Sequence, residues 1–124
     1  MPSIVTRTQL LELLDRWRHG ELTERDVHEE AERLVEQHGL PELPDESPES
    51  IPVEVLGQLE LLNHQLITTD DIPALTRFLQ TAPGKEAEGW ATWHEYWNAL
   101  NLEDRRRSLR GHSYYAVSDE TVQH

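Results

Sequence analysis

Residues 51–66 read IPVEVLGQLELLNHQL, and the reading of this stretch decides the fold. Glu54 and Glu60 are its only acidic or basic side chains apart from His64. Val55, Leu59, Leu62 and Leu66 recur at helical spacing and form one apolar stripe. Val53, Leu56 and Leu61 lie off that stripe, so a helix here is apolar around much of its girth. Such a helix is enclosed by other helices rather than laid on a surface. The pattern predicts a helix over residues 51–66 at the centre of an all-α fold, a compact bundle of five to six helices with an N-terminal helical hairpin. The joint TTDD (68–71) follows, then IPALTRF (72–78). Asp70 is expected to cap that next helix, with Pro73 in its first turn, where a missing N–H costs nothing.

Upstream, two helices are expected near 7–19 and 24–38. Thr6 with Gln9, and Thr23 with Asp26, have the spacing of capping boxes, and Val5 with Leu10 and Leu22 with Val27 that of hydrophobic staples. Leu10, Leu13, Leu14 and Trp17 form the buried stripe of the first helix. Val27, Ala31, Leu34 and Val35 form that of the second. Gly20 and Gly39 end the two helices, and the short turn between them makes an antiparallel hairpin. LPELPDESPES (40–50) is an acidic, proline-rich linker that wraps within the domain rather than dividing it. Downstream, a helix over 86–100 carries Trp90, Trp93, Trp97 and Leu100 at 3-4-3 spacing with Tyr96 beside them. Asn101 is placed to cap a last helix over 102–110. Residues 1–110 are expected to form one domain, and 111–124 a tail without helical period.

The chain of 124 residues carries 24 acidic and 11 basic side chains, a formal net charge of −13. A nucleic-acid duplex would be repelled over most of such a surface. There are no cysteines, which removes disulfides, thiolate zinc ligands and thiol nucleophiles. No apolar run is long enough to cross a bilayer, and MPSIVTRTQL lacks the basic-then-apolar order of a secretory signal. The expectation is a cytoplasmic protein with no cofactor, no nucleic acid and no membrane, whose partner is a protein with a basic face.

The charge layout points to where that partner docks. No Lys or Arg occurs from Leu34 through Thr76, a span with nine acids, and six more lie just upstream. Glu29, Glu30, Glu32, Glu36, Asp45 and Glu46 are the candidate contacts, with Trp90 or Trp93 as a hydrophobic anchor should an indole be exposed. A merely solvated face is the plainer account of the acids, and core packing of the indoles. Arg105, Arg106, Arg107 and Arg110 suit the C-terminal end of a helix or pairing with the acidic side. A second class of function is a small metal-binding protein or metal-dependent enzyme. His28 with Glu32, and Glu60 with His64, are four apart and could ligate from facing helices. A third is a structural helical homo-oligomer. No phosphate loop or nucleophile elbow occurs, and no pair of carboxylates stands out as acid and base.

The first hairpin, LLELLDRWRHGELTERDVHEEAERL (10–34), resembles the opening of small acidic helical-bundle immunity proteins of the colicin D type. Those also join a short helix to a second amphipathic helix through a turn that ends in a hydrophobic residue and threonine. The likeness covers about a fifth of the chain and implies sequestration of a basic toxin nuclease by an acidic face. It assigns no role to any single residue.

Overall fold

In the computed structural model, residues 4–45 and 47–109 are described, the side chain of His64 excepted. The fold is an all-α bundle, with no strand among these residues. The helices are α1 (Arg7–Arg18), α2 (Glu24–His38), α3 (Ser50–Glu60), the single turn α4 (Leu62–Gln65), α5 (Ile72–Leu79), α6 (Glu86–Ala99) and α7 (Leu102–Ser108). Both predicted capping boxes form. Thr6 Oγ1 accepts from the Gln9 amide at 3.1 Å and the Gln9 side chain accepts from the Thr6 amide at 2.9 Å. The Thr23–Asp26 box repeats this at 3.2 and 3.0 Å. Gly20 and Gly39 take the left-handed φ values of 81° and 76° that end the two helices.

α3 is the centre, packed against α1, α2 and α5. Ile51, Val55, Leu56 and Leu59 on it are fully buried, each such side chain worth roughly 2 kcal/mol in area removed from water. The predicted helix over 51–66 is not continuous, however. It stops at Glu60, turns through Leu61, resumes for one turn, and ends on Leu66 in the left-handed conformation, φ 58°. The break lets Leu62, Leu66 and Ile67 all point inward while Leu61 faces solvent. A straight helix would have carried part of that set out of the core. A left-handed Leu costs roughly 1–2 kcal/mol, which burial of its side chain offsets.

The next cap also differs from expectation. Thr68, not Asp70, is the capping residue. Its hydroxyl accepts from the Asp70 amide at 3.2 Å, and the Asp71 carboxylate accepts from the Thr68 amide at 2.8 Å. A 3-10 turn over Thr69–Asp71 then leads into α5, which has Pro73 in its first turn.

Long-range polar contacts tie the helix ends. Arg7 donates to the carbonyls of Leu79 (3.1 Å), Thr81 (2.6 Å) and, in the linker, Pro48 (3.1 Å). One guanidinium thereby satisfies carbonyls left over at the end of α5. α6 lies outside this assembly, packed on α5. Gly89 of α6 makes the close approach, since a Cβ built there would lie 2.5 Å from Thr81 Oγ1. Gly57 of α3 has no such neighbour.

Candidate functional site

The outer face of α2 carries the exposed acids. Val27, Ala31 and Leu34 are buried at 3-4 spacing, so Glu29, Glu32 and Glu36, at the same spacing, fall on the opposite face. All three are exposed. Glu29 and Glu36 form no ion pair among the described residues, and Glu32 has only His28 Nε2 near it, at 3.8 Å. Glu30 stands apart. It sits on the flank of α2, where Arg33 grips its carboxylate in two hydrogen bonds, one of them 3.0 Å. The hydrogen bonds from Arg33 hold the Glu30 carboxyl below the usual carboxylate range. Glu30 is thus neutralised within the helix. Asp45 is exposed in the linker, and Glu46 lies outside the described residues.

The indole row packs on α5 instead of facing outward. Trp93 is 3% exposed and stacks on Phe78, with ring centroids 4.3 Å apart. It is therefore not available as an anchor, because α5 covers the face that a partner would need. Trp97 packs edge-on against Trp93 at 5.3 Å and Trp90 edge-on against Phe78 at 5.1 Å, and both are half-buried. The Trp93 indole N–H donates to Glu54 Oε2 at 2.9 Å, and the Trp90 N–H donates to Ser50 Oγ at 3.1 Å. The row is the means by which α6 is fastened to α5 and α3.

Trp90 nevertheless lines a shallow groove of about 270 Å³ with the linker and α3. Leu40, Leu43 and Asp45 come from the linker, and Val53, Glu54 and Gly57 from α3. This groove is where two residues from distant parts of the candidate set, Asp45 and Trp90, are brought together. A larger groove of about 400 Å³ opens between α5 and α6 over Ala74, Phe78 and Trp93, with the exposed side chains of Arg77 and Lys85 alongside. Nothing in the spacing of residues announced it.

His28 does meet Glu60, but at the backbone. Its Nε2 lies 2.8 Å from the Glu60 carbonyl oxygen, an acceptor left without a helical partner where α3 ends. That nitrogen therefore carries the proton and is spent on the carbonyl, not presented to a metal. Among the described residues no group of three or more His, Asp or Glu side chains could hold a metal ion.

The densest polar constellation was missed in the sequence. Asp71 is fully buried. One carboxylate oxygen accepts a short hydrogen bond from the Tyr96 hydroxyl. The other accepts from Arg105 Nη1 at 2.6 Å and the Thr68 amide at 2.8 Å. Arg105 also donates to the carbonyl of the left-handed Leu66 at 3.1 Å. Burial, reinforced by the Asp71 carboxylate, pushes the Tyr96 phenol up to about 12. Burial works against the Arg105 charge, but Asp71 and Tyr96 together outweigh it and the guanidinium pKa is raised. Both Asp71 oxygens, the Tyr96 hydroxyl and Arg105 Nη1 are engaged with one another or with backbone, which makes this a structural knot that holds α6 and α7 to the start of α5. Of the other C-terminal arginines, Arg107 pairs with Asp104, and Arg110 lies outside the described residues.

The class that fold and surface define is a small acidic helical bundle. No protein-family model, curated protein or solved structure matches the chain. No helix among the described residues is long and apolar enough to cross a membrane.

Proposed function

We propose that this protein is a non-catalytic interaction module that docks a protein partner with a basic face. The observation that supports this is the exposed stripe of Glu29, Glu32 and Glu36 on α2, continued by a linker with no Lys or Arg. Glu29 and Glu36 of that stripe form no ion pair among the described residues, whereas Glu30 and Asp71 are paired within the chain. An uncompensated single-sign surface steers an oppositely charged partner and raises its association rate at low ionic strength. The non-catalytic part of the reading is supported by Asp71, whose two carboxylate oxygens are taken up by Tyr96 and Arg105.

The test is capture from host extract with wild-type protein and with a Glu29→Gln/Glu32→Gln/Glu36→Gln variant as bait, followed by association kinetics at low and high salt. The expected partner is basic, its on-rate falls with salt, and the triple variant slows it several-fold. An acidic partner, or an on-rate indifferent to salt, overturns the reading.

A further inference from the structure

We infer that the groove between the linker, α3 and Trp90 receives one arginine side chain of the docked partner. This deepens the docking reading above and rests on it. Glu54 is the group that asks for a cation. It is half-buried, yet it forms no ion pair among the described residues. Both of its donors, the Trp93 indole at 2.9 Å and the Gln58 amide at 3.3 Å, are on Oε2. Oε1 accepts from nothing among the described residues. A carboxylate partly removed from water with one oxygen unused gains more from an incoming charged donor than an exposed one does.

The walls suit the rest of an arginine. Leu43 and Val53 offer apolar surface for a methylene stem. Trp90 lines the groove with its N–H already held by Ser50, and an indole attracts a planar guanidinium through its ring. Asp45 adds a second carboxylate at the exposed side. Gly57 leaves the space open, because a Cβ there would meet no atom within 4 Å. A volume of about 270 Å³ accommodates one long side chain rather than a helix. The groove is thus complementary in charge and shape to a single basic side chain, and the exposed acids of α2 are not part of it.

The probe is the peptide acetyl-Gly-Arg-Gly-amide, titrated against the whole chain with the Trp90 indole N–H followed by NMR. Its counterpart with neutral citrulline in place of arginine is the control. A saturable shift with arginine only is expected. Glu54→Gln weakens it about tenfold, the worth of one charge-assisted contact. Gly57→Leu, which fills the groove and leaves the Glu54 carboxylate in the chain, abolishes it while the melting temperature holds or rises. An equal response to citrulline, or retention of the shift in a folded Gly57→Leu variant, overturns the inference. If the α2 triple variant loses a basic partner but the peptide gives no saturable shift, the docking reading stands and the groove falls. If the peptide binds and Gly57→Leu removes it, yet captured partners ignore salt, the arginine pocket stands and the steering role of α2 falls.

Discussion

Asp71 and Glu54 are both carboxylates of the stretch that lacks any Lys or Arg, and they end in opposite situations. Asp71 is sealed from solvent and saturated by Tyr96, Arg105 and the Thr68 amide. Glu54 is half-buried, has two donors on one oxygen and no cation among the described residues. The difference lies in what the chain brings back to each of them. α7 returns an arginine to Asp71 from 34 residues away. α6 returns only an indole to Glu54. Within one acidic stretch, then, one carboxylate is consumed by folding and another keeps an oxygen without a donor among the described residues.

Cutting the first member of this pair should have the largest effect. Asp71→Ala strands the largely buried Arg105, whose side chain is 13% exposed, and should cost about 3 kcal/mol or more in denaturant unfolding. Glu54→Gln keeps an acceptor for the Trp93 N–H and should cost less than about 1 kcal/mol. Equal losses would mean that Glu54 is as structural as Asp71.

The knot also predicts an alkaline limit. The Tyr96 pKa of about 12 lies above its ordinary value of 10, so the folded state holds this proton more tightly than the unfolded chain. The stability it contributes is complete below pH 10 and is lost as pH rises through 12. Wild type should lose melting temperature over that window, and Tyr96→Phe should lose less of it. An identical slope in the two would sever Tyr96 from the knot.

A smaller contrast separates the two helix-interior glycines. Gly89→Ala should destabilise by about 1 kcal/mol, because the overlap with Thr81 outweighs the gain in helix propensity. Gly57→Ala, with free space around it, should stabilise by about 0.5–1 kcal/mol. The smallest effect on stability belongs to α2. The Glu29, Glu32 and Glu36 substitutions should each stay within about 0.5 kcal/mol in unfolding, so that any change in association rate is electrostatic. A larger loss would make that face structural.

Local features were legible before the fold was known. The caps at Thr6, Thr23 and Asn101 involve partners three residues away, and the helices they start follow directly. The central place of residues 51–60 followed from their lack of polar faces. The break at Leu61 was not legible, because the stripe of Val55, Leu59, Leu62 and Leu66 fits an unbroken helix equally well. Of the candidate contacts, Glu29, Glu32 and Glu36 fell on the exposed face that helical spacing gives them. Glu30 was claimed by Arg33, and Trp93 by α5.

By itself the sequence determined that the chain is a helical bundle, where most of its helices begin and end, and that its surface is acidic. Those properties depend on contacts within a turn or on composition, and both survive in any arrangement of the helices. Only the tertiary structure decided which acids are spent and which are open. Whether a carboxylate keeps its charge for a partner depends on which donors arrive from elsewhere in the chain, and no spacing along residues 51–78 encodes the return of Arg105 to Asp71 or of Trp93 to Glu54.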